Sequence, residues 1–308
     1  MSYPKATSAS VPFIKLSSGH SIPQVGLGVY LTGTDVAAKV VKEGLEVGYR
    51  HVDSAAIYGN ESEAAQGILE FLSENPAIKR SDIFFTTKVW EADHGYDEAK
   101  AAIAKSLERI GGLGYIDLLL IHSPRAPITV DEKADEATQL AAKREKRLGT
   151  WRAFQEAVDQ GIVKSIGVSN YGVAHLEELL AWDGLRIKPV VNQIELHPWL
   201  QRTELVEFGR KHGILPEAYS PLTRGQKLKD PIDKDLVALA QKYKRSPAQI
   251  LIRWSVQQGF ITLPKSVHID RLVENFDIWD FELTEEDANS IGGKELYGIT
   301  GWDPTVAL

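Results

Sequence analysis

The chain contains no cysteine and one methionine. Without thiols there is no disulfide, no thiolate zinc site and no cysteine nucleophile, so folding and chemistry rest on other groups. Positive charge is also scarce. Against 42 aspartates and glutamates stand 35 lysines and arginines, a net charge of -7, which gives no general electrostatic footprint for nucleic acid or an anionic membrane. Any anionic ligand must then be held by a local basic site. No stretch approaches the roughly 18 uninterrupted apolar residues of a membrane helix. The opening MSYPKATSASVPFIKL lacks the charged region and apolar core of a signal peptide, and a soluble cytoplasmic protein is expected. Neither a low-complexity linker nor a repeat of fixed period interrupts the chain. A G-x-G-x-x-G fingerprint is missing as well, and VGLGVY in the first apolar run is no substitute for it.

What the chain does contain is alternation. Eight short apolar runs, VGLGV (25–29), RHVDSA (50–55), IFFTTKV (83–89), IDLLLIH (116–122), VKSIGVS (163–169), PVVNQIEL (189–196), ILPEAYS (214–220) and FITLP (260–264), are separated by segments of helical period. Gly48, Gly161 and Gly213 close three of those segments, as helix C-caps do. Strict β-then-α order with strands rich in Val, Ile and Leu implies parallel strands buried on both faces. The 308 residues suit an α/β barrel, which takes roughly 250. The expected fold is α/β: a single (β/α)8 TIM barrel domain over 1–308, with an N-terminal β-hairpin (VPFIKL, turn SSGH, SIPQ) and a C-terminal extra helix and loop. DLVALAQKYKRSPAQILIRWSVQQG reads as one helical segment. A charged insertion over 124–147 follows the fourth strand, and its KREKR reads as a solvated helix start rather than a nucleic-acid patch.

In a barrel of this kind active sites lie at the C-terminal ends of the strands. Asp53 closes the second run, Lys88 nears the end of the third, His122 closes the fourth, and Tyr58 sits in the loop after Asp53. Taken singly, each has an ordinary structural role. Together their chemistry is consistent: Asp53 compensates a buried Lys88, whose charge favours the Tyr58 phenolate and draws its pKa from about 10 toward neutrality, while His122 can orient a carbonyl oxygen. Gln193, an amide between apolar neighbours in a buried strand, asks for a partner. Near the C-terminus, Lys265 and Ser266 follow the eighth run, Arg271 comes one turn later, and a helix begins near Ile269, which makes a local anion site. The pairs His51-x-Asp53 and Glu195-x-His197 could instead belong to a metal-dependent hydrolase, but Lys88 would oppose a cation beside Asp53. No metal is expected.

VGLGV, GYRHVDSAAIYGNE, FFTTKVW, IDLLLIHSP, VKSIGVSNYG, PVVNQIELHPWL, AYSPL and LPKSVHIDRLVENF together resemble the aldo-keto reductase superfamily over nearly the whole chain, in its aldose/xylose-reductase-like or 2,5-diketogluconate-reductase-like branches. The resemblance implies NADP(H) bound without a Rossmann fold, and a catalytic tetrad of Asp53, Tyr58, Lys88 and His122. It places Ser169, Asn170 and Gln193 at the nicotinamide carboxamide, Tyr219 stacked on the ring, and Ser220 and Leu222 beside the cofactor. Lys265, Ser266 and Arg271 fall at the adenosine 2'-phosphate, with Glu274 and Asn275 at the adenine. Tyr30, Trp90, His122, Ser123 and Trp302 are the implied substrate contacts. Val29 and Tyr30 stand where many relatives have threonine and tryptophan, and Ser123 where aldose-reductase-like members have tryptophan, so a less aromatic pocket is expected. The implied partner is a small carbonyl substrate, with no nucleic acid or membrane, in a monomer. A noncatalytic cofactor-sensing barrel is the alternative beside the hydrolase.

Overall fold

The computed structural model describes residues 11–127, 134–230 and 232–307. A two-stranded antiparallel hairpin, β1 (Phe13–Lys15) and β2 (Ser21–Pro23), precedes eight parallel strands. These are β3 (Leu27–Gly28), β4 (His51–Asp53), β5 (Phe84–Val89), β6 (Ile116–Ile121), β7 (Val163–Ser169), β8 (Val191–Glu195), β9 (Leu215–Tyr219) and β10 (Ile261–Leu263), each paired with its neighbour in chain order. Bonds from Gly26 N to Thr262 O (2.9 Å) and from Thr262 N to Gln24 O (2.8 Å), around the parallel bridge Val25–Thr262, bring the last strand back to the first. The expected (β/α)8 barrel and N-terminal hairpin are both present.

Around the sheet run α1 (Thr34–Val47), α2 (Glu61–Glu74), α3 (Tyr96–Ile110), α4 (Glu136–Asp159), α5 (Val173–Leu180), α6 (Thr203–Lys211), α7 (Lys234–Tyr243), α8 (Pro247–Gln257), α9 (Ile269–Phe276) and α10 (Glu285–Ser290). Because side chains alternate along a strand, Phe85, Leu119, Ile121 and Ile166 pack outward in the core shared with the helices. Phe84, Leu118, Leu120, Val191 and Ile261 form a separate inner cluster, and Leu16 and Ile22 of the hairpin join it, so the hairpin plugs the N-terminal end of the barrel. The opposite end is left open to carry polar groups.

Two helical expectations change. The segment after β9 is two helices: Lys244 turns left-handed (φ 54°) after α7, and Ser246 caps α8 by accepting from Gln249 N at 3.2 Å. The Ser-Pro start signal outweighs the continuous apolar period. KREKR lies inside α4 rather than at its start, since Asp135 caps that helix by accepting from Thr138 N at 2.8 Å. Arg147, last of the run, is buried and donates to Glu178 of α5 at 2.8 and 2.7 Å, which makes it a helix-to-helix tie rather than a solvated charge. Residues 128–133 of the insertion lie outside the described residues. Among those described, no helix is long and apolar enough to cross a membrane.

Gly67 of α2 sits where a Cβ would fall inside contact distance of the Ala38 carbonyl oxygen on α1. Alanine is the better helix former by about 1 kcal/mol, yet Gly67→Ala is expected to lower stability by about 1–3 kcal/mol through overpacking. Denaturant midpoints check this; an unchanged or raised midpoint would mean that the two helices can separate at no cost.

Candidate active site

Asp53 ends β4, and the single helical turn Ala56–Tyr58, closed by Gly59 in the left-handed region (φ 68°), carries Tyr58 back over the barrel mouth. Buried Asn60 fixes that loop: its amide donates to the Val29 and Thr32 carbonyls at 2.9 and 3.0 Å and accepts from Ser54 Oγ at 2.9 Å. From β5, Lys88 Nζ donates to Asp53 Oδ1 at 2.7 Å, to the Ser54 carbonyl at 2.8 Å and to the Tyr58 hydroxyl oxygen at 3.4 Å. His122, just past β6, sets its ring edge-on to both Tyr58 and Trp90, with centroids 5.6 and 5.0 Å apart. The four residues read from separate strand ends therefore share one site.

Burial governs their protonation. It would lower the Lys88 pKa, but the Asp53 carboxylate and the Tyr58 oxygen reverse this, and the net shift is upward, so the ammonium stays charged. His122 is held well below its ordinary value, first by burial and then by Lys88, so its ring is neutral. Tyr58 departs from expectation. Burial raises the phenol more than Lys88 lowers it, because the ammonium is already committed to Asp53 and the Ser54 carbonyl at shorter range. The phenol keeps its proton near neutral pH.

A cleft of about 1090 Å³ opens at this end of the barrel and runs from Tyr30, Tyr58, Trp90, His122 and Trp302 to Lys265, Ser266, Arg271, Glu274 and Asn275. Ser169, Asn170, Gln193, Tyr219, Ser220 and Leu222 line it between the two ends. Tyr219 donates to Asn170 Oδ1 at 2.8 Å, Asn170 Nδ2 donates to the His122 carbonyl at 2.8 Å, and Ser169 Oγ donates to the Gln193 carbonyl at 2.8 Å, so the middle of the cleft is rigid. Arg271 pairs with no acid among the described residues, and buried Asn275 opens its amide into the cleft. Lys265 spans the mouth to the Leu31 carbonyl at 3.1 Å. Two residues stand apart: Lys88 lies beneath the floor, and Ser123, expected as a substrate contact, is fully buried, its hydroxyl accepting from Arg125 N at 3.2 Å. Pro124 and Arg125 follow it at once, and the chain turns inward to satisfy its backbone.

The C-terminal tail brings Trp302 to the cleft, 6.3 Å from the Trp90 ring. Arg202 holds the tail, donating to Asp303 Oδ1 (3.0 Å), Thr305 Oγ1 (2.9 Å) and Tyr297 OH (3.2 Å). Glu195, once a metal-ligand candidate, accepts instead from Thr300 and from His197, whose Nε2 lies at 3.2 Å. His51 faces Thr86 Oγ1 at 2.9 Å. Among the described residues no group of three or more acids and histidines could hold a metal ion.

A family model for the Aldo/keto reductase family matches residues 25–295. The chain belongs to that family. An uncharacterized oxidoreductase of Saccharomyces cerevisiae is 46% identical over 296 residues, 96% of this chain and 98% of the relative. The glyoxal reductase of Bacillus subtilis is 41% identical over 279 residues, 90% of this chain and 91% of that protein. A crystal structure of an aldo-keto reductase from Bombyx mori in complex with NADP matches with a TM-score of 0.79 at 35% identity, covering 92% of each chain. As an aldo/keto reductase the protein is an oxidoreductase of carbonyl groups, from a family that uses nicotinamide cofactors.

Sequence reasoning passed over Glu217, fully buried inside the barrel beneath Asp53 and Gln193. Its signal was present, since an acid between apolar residues in LPEAY shares a strand face with Tyr219 two positions on. Arg224, in the loop after β9, was also missed; its guanidinium lies 5.8 Å from the Tyr30 ring centroid. In the same loop Gln226 donates to the Thr300 carbonyl at 2.9 Å.

Four buried histidines resist protonation: His51, lowered to about 3, His94, lowered to about 4, and His122 and His175, each chiefly by burial. The unfolded chain takes up protons near 6.5 that the folded chain refuses, so this stability is present above that pH and lost as pH falls. Glu217, raised by burial and by Asp53, works in the opposite sense by one proton. Urea unfolding between pH 7 and pH 5 should show stability falling, by about 1.4 kcal/mol per pH unit for each histidine not offset. His94→Gln should flatten the slope by one proton; a slope unchanged in that variant would mean that His94 is charged in the folded protein.

Proposed function

We propose that the protein is an NADPH-dependent reductase that converts aldehyde or ketone carbonyls, open-chain sugars among them, to alcohols, with Tyr58 as the proton donor. The observation that carries this reading is one cleft with the Asp53–Lys88–Tyr58–His122 group at one end and, at the other, Arg271, which pairs with no acid among the described residues. Bound reduced nicotinamide supplies the hydride to the carbonyl carbon. Tyr58, neutral at rest, gives its proton to the carbonyl oxygen as negative charge develops there. Lys88, 3.4 Å away, stabilises the phenolate left behind, and Asp53 keeps Lys88 charged despite burial. Neutral His122 can donate one hydrogen bond to the same oxygen and so orient it. Trp90, Tyr30 and Trp302 wall this end against water. Ser169, Asn170, Gln193 and Tyr219 are assigned to the nicotinamide, and Lys265, Ser266, Arg271, Glu274 and Asn275 to the adenosine end, where Arg271 offers the planar fork that a phosphate favours. The glyoxal reductase and the NADP complex among the relatives support the same chemistry.

NADPH oxidation, followed by absorbance with a panel of sugars, uronates, α-keto compounds and aromatic aldehydes, tests the reading; a protein that consumes no NADPH with any of them sinks it. Tyr58→Phe should bind NADPH normally while losing activity by about 10²–10⁴-fold, the usual contribution of a positioned acid. Near-normal turnover in that variant would reject Tyr58 as the acid. Arg271→Ala should weaken NADPH binding far more than NADH binding, and an equal loss for both would remove the 2'-phosphate role.

A further inference from the structure

Glu217 takes no part in the proton chemistry above, yet it is fully buried inside the barrel, the least exposed acid among the described residues. It enters the interior from β9 two residues before Tyr219, one layer below the cleft floor. Gln193 Nε2 donates to Asp53 Oδ2 at 2.8 Å and to Glu217 Oε2 at 3.1 Å. Both side-chain amide hydrogens are thus used inside the barrel, and of that amide only Oε1 of Gln193 remains for the cleft. Asp53 alone would satisfy one hydrogen. The other would be buried without an acceptor, a penalty that makes the reversed amide competitive.

We propose that Glu217 is a positioning residue: by accepting from Gln193 it fixes that amide with its oxygen toward the cleft, so that the site recognises a nicotinamide through the carboxamide NH2 group. The inference rests on the nucleotide-binding reading given above. The titratable groups facing Glu217 are His51, Asp53 and Lys88. His51 Nε2 lies 3.9 Å from Oε1, and Oε1 has no hydrogen-bond partner among the described residues. Oε2 accepts whether the carboxyl is ionised or neutral. Burial and the Asp53 charge raise the Glu217 pKa, which favours the proton on the unpartnered Oε1. A neutral carboxyl of this kind retains the acceptor without placing a second buried negative charge beside Asp53.

Calorimetric titration of wild type, E217Q and E217M with NADP+ and with its 3-acetylpyridine analogue tests this. The analogue keeps the ring oxygen substituent but lacks the NH2. Wild type should prefer NADP+ by about tenfold, since the analogue leaves the Gln193 oxygen unpaired. E217Q, which retains an acceptor, should keep that preference within about threefold. In E217M the freed amide can turn to donate to the acetyl oxygen, and the ratio should fall toward one. An E217M protein with the wild-type ratio overturns the proposal, and so does an E217Q protein that loses the preference. Should E217M fail to fold, Glu217→Thr, whose hydroxyl is too short to reach the amide, takes its place. A wild type that binds neither nucleotide fails the functional reading itself, whereas a tight but indiscriminate wild type fails this inference alone.

Discussion

The mouth of the barrel is organised around one buried ion pair, Lys88 with Asp53. Neither charge could remain there alone, because an uncompensated buried ion is far more destabilising than an ordinary lost contact. Each partner is therefore also tied to something else. Asp53 uses its second oxygen on Gln193 of β8, and Lys88 uses its remaining donors on the Ser54 carbonyl and the Tyr58 oxygen. The pair thereby links β4, β5 and β8 and sets the height of Tyr58 above the floor. Burial holds the proton on that phenol, and the Lys88 ammonium lies beside its oxygen.

Such a polar assembly depends on what lies beneath it. The lower half of the barrel interior is apolar and plugged by the hairpin residues Leu16 and Ile22. Polarity rises toward the C-terminal end, through His51, Thr86 and Glu217 to Asp53, Lys88 and Gln193. The side-chain bonds from Tyr219 to Asn170 and from Asn170 to the His122 carbonyl fasten β6, β7 and β9 across the rim. The apolar plug closes the lower end, and the cleft opens at the other.

Much of this was legible in the chain. Alternating apolar runs carried the barrel, because a parallel strand buried on both faces has few other ways to be written. Asp53, Lys88 and His122 were visible because polar residues ending such runs must face the open end. Other features depend on distances that spacing does not encode. The direction of the Tyr58 shift turns on how far Lys88 is already engaged by Asp53. Ser123 left the cleft because the chain bends after His122. KREKR read as a surface run because the partner of Arg147, Glu178, comes from a different helix. Glu217 differs from these: its strand face is deducible from LPEAY, but it lies in mid-strand, where an acid carries no signal of the open end.

The tail that carries Trp302 has a physical independence that the strand-end residues lack. It is fastened by side-chain bonds to Arg202 and to Glu195 at the end of β8, and contributes no strand to the barrel. Asp53, Tyr58, Lys88 and His122 are held by the sheet, where any change disturbs a buried charge. The wall that Trp302 adds to the cleft is an appended segment, replaceable without rebuilding the barrel. The cleft wall and the buried charges beneath it are thus held by separate parts of the molecule and are free to change at different rates, so that one buried polar floor can carry successive tails.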